Sequence, residues 1–155
     1  MDPRPVILYV EDDADTFKLT EARLKARYRL LWAQNDREAC AFLREVGPTL
    51  HAVLMDIELQ GSVLDGFGLV RVLRGQTASL GALPEYARGL EPLPALPVIV
   101  LTAYVGRYDE HEATRAGASL FLTKPIDFAR LNLALAQANI QSVMQLTRRL
   151  AVDGS

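Results

Sequence analysis

Sulfur and imidazole are scarce in this chain: Cys40 is the only cysteine among 155 residues, and His51 and His111 are the only histidines. A single thiol cannot close a disulfide framework or build a thiolate metal cluster within one chain, so Cys40 is read as a buried thiol on a helix. Neither histidine lies near the other in the pattern, which sets aside imidazole metal sites and a phosphohistidine role. No apolar stretch approaches the roughly 18 residues that span a bilayer, and the start, Met1-Asp2-Pro3-Arg4-Pro5, lacks the layout of a secretory signal. Positive charge is not in excess either. A net charge of −2 and a pI near 5.7 leave no basic field for a phosphate backbone. Repeats and low-complexity tracts are missing as well. The expectation is a soluble, cytoplasmic protein with no nucleic-acid or membrane partner.

What the chain does have is apolar substance, at 50% of its residues, enough for one compact domain with a sizeable core. Four short aliphatic runs, Val6 to Val10, Val53 to Met55, Val98 to Leu101 and Leu120 to Leu122, are separated by helix-like stretches and read as buried parallel strands. A further strand is expected from Arg29 to Ala33. Helices follow each: one capped by Asp15-Thr16 with Phe17, Leu24 and Tyr28 on one face, and one capped by Asn35-Asp36 with Ala39, Phe42, Leu43 and Val46, stopped by Gly47-Pro48. A third carries Phe67, Leu69, Val70, Val72 and Leu73, a fourth runs from about Arg107 to Ala116, and the last begins at Asp127. The order is βα repeated five times. Right-handed crossovers then give an α/β fold, a five-stranded doubly wound parallel sheet of flavodoxin-like (βα)5 architecture.

Between Gln76 and Pro97 the pattern dissolves into Gly, Ala, Leu and Pro, with Pro84, Pro92, Pro94 and Pro97 excluding a long regular element. Residues 76–96 read as an inserted surface loop with one helical turn around Glu85 to Arg88. Because it enters the fourth strand at its amino end, it is expected at the end of the sheet away from the polar residues described next.

Each of the four runs ends in a polar island: Glu11-Asp12-Asp13, Asp56, Thr102 and Lys124. In an open α/β sheet the carboxyl ends of the strands share one crevice. Asp56 is the candidate nucleophile, since a carboxylate can attack phosphorus to form an acyl phosphate. Glu11 and Asp12 supply hard oxygen ligands of the kind Mg²⁺ prefers. Two carboxylates about 5 Å apart repel by roughly 3 kcal/mol at an effective dielectric near 20, so the cluster calls for a cation and for Lys124. Lys124 and the Thr102 hydroxyl could clamp phosphoryl oxygens in flight. Each residue alone has an ordinary explanation as a cap or loop residue; their joint placement at one end of separate strands does not.

With VILYVEDD at Val6 to Asp13, VLMDIEL around Asp56, Asp65-Gly66, VIVLTA ending at Ala103 and AGASLFLTKPID ending at Asp127, the sequence resembles the receiver domain of bacterial response regulators over roughly residues 5–138. The resemblance implies that Asp56 takes a phosphoryl group from a phosphohistidine on a sensor histidine kinase or histidine phosphotransfer protein. It further implies Mg²⁺ bound by Asp12 and Asp56, with the backbone carbonyl of Glu58 as third ligand and Glu11 on a metal-bound water. Thr102 and Lys124 take the switch and phosphate-contact roles, and Phe121 the switch aromatic position. Ala103 is small, as donor access requires, Asp13 is a solvated residue or cap, and Lys124-Pro125 is expected to be cis. Such a protein is no enzyme beyond its own phosphoryl acceptance and slow autodephosphorylation.

The chain departs from the pattern in two places besides the 76–96 insertion. The stretch IELQGSVL after Asp56 is about two residues longer than the common receiver loop and lacks its Met-Pro. The last helix could run to about Leu150, roughly 36 Å, with Ile140, Val143, Met144, Leu146 and Leu150 in need of cover. The expected organisation is a receiver domain over residues 1–138 and a helical extension over 139–155 that serves a homodimer or a docking contact. Two alternatives compete with the phosphorylation switch. A haloacid-dehalogenase-like phosphatase also uses an Asp nucleophile and Mg²⁺, but wants a second Asp where this chain has Glu58. A degenerate receiver acting as a scaffold would not need every polar group that is present.

Overall fold

Alternation along the strands decides the architecture. In a computed structural model, which describes residues 2–103 and 110–138, β1 (Val6–Val10) sends Leu8 and Val10 to one buried cluster and Ile7 and Tyr9 to another. The same division recurs in β3 (Ala52–Asp56) and β4 (Val98–Thr102), every residue of which is buried. Strands apolar on both faces must be covered on both, and parallel strands need crossovers long enough to do it. With β2 (Arg29–Ala33) and β5 (Leu120–Thr123) the sheet has the order β2-β1-β3-β4-β5, all parallel. The order reverses between β1 and β3, which puts the ligand crevice at their carboxyl ends. The doubly wound reading of the sequence is correct.

One face is covered by α2 (Asp36–Val46), α3 (Gly66–Leu73) and α4 (Glu110–Ala116), through Ala39, Cys40, Leu43, Leu69, Val70, Leu73, Ala113 and Ala116. Burial pushes the Cys40 thiol up to about 11, which keeps it protonated and unreactive. The other face is covered by α1 (Ala14–Leu24), through Phe17 and Leu24, and by a helix including 128–138, through Leu131 and Leu135. α1 is capped by Asp13, whose carboxylate accepts the Thr16 amide, and not by the expected Asp15-Thr16. α1 also stops short of Tyr28, which still packs inward at 8% exposure. The Lys124-Pro125 bond is cis. The start of the expected fourth helix at Arg107, and the 139–155 extension with its homodimer, lie outside the described residues.

The 76–96 segment does more than cover solvent-facing surface. Leu93 N–H donates to the Leu73 carbonyl at 2.7 Å, Arg74 Nη1 to the Leu93 carbonyl at 2.7 Å, and Arg44 Nη2 to the carbonyls of Tyr86 and Arg88 at 3.0 and 3.1 Å. The turn Glu85–Ala87 buries Ala87 to 1% exposure and packs against α2. From there the Tyr86 hydroxyl reaches the Asp36 carboxylate, at the first residue of α2 and hence at the carboxyl end of the sheet. The insertion therefore spans the length of α2, where the sequence placed it only at the far end.

The turn into α3 is closed by contact with the strand that carries Asp56. Gly66 N–H donates to the Ile57 carbonyl at 2.8 Å, and a Cβ on Gly66 would stand 2.2 Å from the Asp56 carbonyl oxygen. Alanine for glycine in a helix ordinarily stabilises by up to about 1 kcal/mol. Here the sign reverses: Gly66→Ala is expected to lower unfolding free energy by about 1–3 kcal/mol in urea titrations, and a gain in stability would refute the close approach.

Candidate functional site

Three acids meet where β1 and β3 end. Glu11 follows β1 and is fully buried, Asp12 beside it is half-buried, and Asp56, the last residue of β3, is 8% exposed. One oxygen from each lies within 4.8 Å of the others. Lys124, just past β5, brings its Nζ to 2.6 Å from Glu11 Oε1 and 3.4 Å from Asp56 Oδ2. A cleft of about 170 Å³ opens over them, lined by Asp12, Asp56, Glu58, Gln60, Ala103 and Lys124, room for a hydrated ion with several waters.

The charges are unequal in their comfort. Burial first, and then Glu11 beside it, push the Asp56 carboxyl up to about 8 from its ordinary 3.8, against the pull of Lys124. Burial also opposes ionisation of Glu11, but hydrogen bonding with Asp56 and Lys124 outweighs it and holds that carboxyl below its usual range. Burial likewise works against the Lys124 ammonium; its bond to Glu11 and the charge of Asp56 raise its pKa nonetheless. One cation thus faces three acids, and the shortfall falls on Asp56. A hard divalent cation would meet it. An all-oxygen set this closely gathered suits a hard cation such as Mg²⁺.

A family model for the response regulator receiver domain matches residues 7–136. The chain belongs to the response regulator receiver domain family. The PleD response regulator of Caulobacter vibrioides is 32% identical over 130 residues, 81% of this chain and 25% of that protein. This chain spans about a quarter of the length of that regulator and of others it matches. Among solved structures, the NtrX receiver domain of Brucella abortus is 28% identical with a TM-score of 0.67, covering 85% of this chain and 96% of that one. The receiver domain of the sensor histidine kinase PA1611 of Pseudomonas aeruginosa is 29% identical with a TM-score of 0.65, covering 86% and 96%, and is described with a magnesium ion coordinated in its active-site cleft. Receiver domains take phosphoryl groups from histidine kinases or phosphotransfer proteins, and membership favours neither the phosphatase nor the scaffold alternative.

Most of the residues expected from the sequence converge on the cleft of this receiver. Thr102 ends β4 beside it at 1% exposure, with its carbonyl accepting the Lys124 amide at 2.7 Å, while Ala103 lines the wall. Phe121 is half-buried on the α2-α3-α4 side of β5. Three supports escaped the sequence reading. Gln60 N–H donates to Asp12 Oδ2 at 2.9 Å, Tyr9 Oη donates to Glu11 Oε1 at 3.3 Å, and Trp32 Nε1 donates to the Glu11 carbonyl at 2.7 Å. Tyr9 had a weak signal as a phenol inside an aliphatic strand; Gln60 acts through its backbone and had none. Among the described residues no helix is long and apolar enough to cross a membrane.

The raised Asp56 pKa has a sign that can be tested. The folded protein holds a proton that the unfolded chain has already released, so stability without divalent metal falls as pH rises from about 4 to about 8. Glu11 is shifted the other way and acts below its ordinary 4.5. In EDTA, Asp56→Asn should flatten the pH slope and raise the neutral-pH melting temperature. Lys124→Gln, which leaves Glu11 buried without its cation, should lower stability by about 3 kcal/mol or more. Equal melting temperatures for all three proteins at pH 7.5 would contradict the charge balance described.

Proposed function

We propose that this receiver is a phosphorylation switch in which Asp56 accepts a phosphoryl group from a phosphohistidine of a sensor kinase or histidine phosphotransfer protein. An Asp56 carboxylate oxygen attacks phosphorus, the bond from phosphorus to the donor imidazole nitrogen breaks, and its electron pair stays on that nitrogen, which takes up a proton from solvent. Asp12, Asp56 and the Glu58 backbone carbonyl would hold Mg²⁺, and Glu11 would act on it through water. Bound there, the ion neutralises the acids and the phosphoryl oxygens. Lys124 already stands 3.4 Å from Asp56, so a modest swing away from Glu11 brings its ammonium against a phosphoryl oxygen on that residue. The Thr102 hydroxyl takes another, and Ala103 leaves the approach open.

Inward movement of Thr102 frees space for Phe121 to turn in, and the surface made by α4, β5 and the helix at 128–138 changes for a partner to read. The convergence of Glu11, Asp12, Asp56 and Lys124 is the observation that carries this reading: it pairs a nucleophile with a cation site and a fixed ammonium. The 139–155 segment is a candidate for a homodimer contact in the same switch.

The chemistry is tested by incubating the protein with acetyl phosphate and Mg²⁺ and recording intact mass. A single hydroxylamine-labile phosphoryl adduct is expected, absent from Asp56→Asn and lost with EDTA. No adduct on the wild type, or an undiminished one on Asp56→Asn, would rule out Asp56 as the acceptor.

A further inference from the structure

Asp36 is a buried carboxylate outside the acidic cluster, 1% exposed, and every group that addresses it comes from elsewhere in the fold. Its Oδ2 accepts the amides of Val63 and Leu64 at 3.1 and 2.9 Å, and its own amide donates to Ser62 Oγ at 3.0 Å. All three partners belong to the long loop between β3 and α3. The same Oδ2 also accepts the hydroxyl of Tyr86, from the 76–96 insertion. The near end of that loop reaches the cleft, where Gln60 N–H donates to Asp12 Oδ2 and Glu58 lines the wall.

We infer that Asp36 and Tyr86 are positioning residues for the phosphoryl site: the insertion anchors Asp36, Asp36 fixes the loop at residues 62–64, and the loop so fixed presents Gln60 to Asp12 and Glu58 to the cleft. The physical need comes from this loop's extra length. A longer loop has more conformations to lose on closing, and although Leu59 and Leu64 at its two ends are buried in the core, the stretch between them carries Val63 exposed at 74%. A buried acceptor taking two amides and a phenol is a strong substitute, because breaking any of these bonds would strand a buried polar group. Tyr86 is itself held in place. Arg44 binds the Tyr86 carbonyl, the Arg37 guanidinium lies 5.0 Å from its ring centre, and the burial of Ala87 beside it locks the turn. The two unusual features of the chain, a lengthened active-site loop and an insertion after α3, meet at one carboxylate. A partner that grips the insertion thereby acquires a route to the cleft without touching it.

The inference rests on the phosphoryl-accepting reading of the cleft, so its test has one readout inside the cleft and one outside. Amide hydrogen exchange at Val63 and Leu64 reports the tether with no metal present. A Mg²⁺ titration followed by the fluorescence of Trp32, the only tryptophan and a donor to the Glu11 carbonyl, reports the cleft. In Tyr86→Phe both amides should exchange faster and Mg²⁺ affinity should fall roughly tenfold, the lower end of what outer-shell partners contribute. Asp36→Asn, which keeps an acceptor, should fall between wild type and Asp36→Ala. Leu24→Ala, a cavity in the core of the other face, should lower the melting temperature and leave both readouts unchanged, which separates positioning from general loss of stability. Unchanged exchange of the two amides in Tyr86→Phe, or faster exchange with undiminished Mg²⁺ affinity, would overturn the inference. A wild type that binds no Mg²⁺ while its amides respond as described would instead overturn the reading of the cleft and uphold the tether.

Discussion

The buried ion pair between Lys124 and Glu11 is the interaction on which the rest of the site depends. A carboxylate as deeply buried as Glu11 is tolerated only with a cation and hydrogen bonds around it, and it has Lys124 at 2.6 Å with the Tyr9 hydroxyl behind. With that pair in place a second carboxylate, Asp56, can stand next to the first, half-compensated and short of positive charge. The deficit is the useful property. A cleft short of positive charge suits a divalent cation, and the ammonium stands 3.4 Å from Asp56. A site with complete internal neutrality would have no such appetite, and one without Lys124 would not hold Glu11 in the core.

The fold supplies this arrangement through the sheet order. Because β1 and β3 are neighbours and their partners diverge, Asp12 and Asp56 meet at the crevice between their carboxyl ends. β4 and β5 then bring Thr102 and Lys124 from the other side, each from the end of its own strand. The same geometry places tight demands on the chain next to Asp56. Gly66 returns so close to the Asp56 carbonyl that no side chain fits, and the loop it closes is carried outward and held by Asp36.

Much of this was legible in the residues. Strand runs buried on both faces have one reading in a chain of this length, and Asp56, Thr102 and Lys124 follow directly as the residues that end them. Asn35 was recognisable as a cap, since its side chain accepts the amide of Glu38 three residues on. The cap of α1, expected at Asp15-Thr16, lies at Asp13, because any of Asp13, Asp15 and Thr16 can cap and only the backbone geometry chooses among them. Asp36 was read as part of the Asn35-Asp36 capping pair, while its carboxylate in fact faces residues 27 to 50 positions away. Contacts over such distances follow no period, and the insertion that supplies one of them has only short helical turns, which do not announce its path. Gln60 lies at the same limit, for a backbone amide carries no signature in the side chain above it.

The central claim is that one divalent cation and the Lys124 ammonium together make Asp56 able to hold a phosphoryl group. The most direct measurement is a crystal structure of the protein soaked with Mg²⁺ and beryllium fluoride, a phosphoryl mimic. The account predicts density joined to the Asp56 carboxylate, an ion between it and Asp12, and Lys124 Nζ moved from Glu11 onto the mimic. An empty cleft at saturating concentrations, with Lys124 still paired to Glu11, would contradict it.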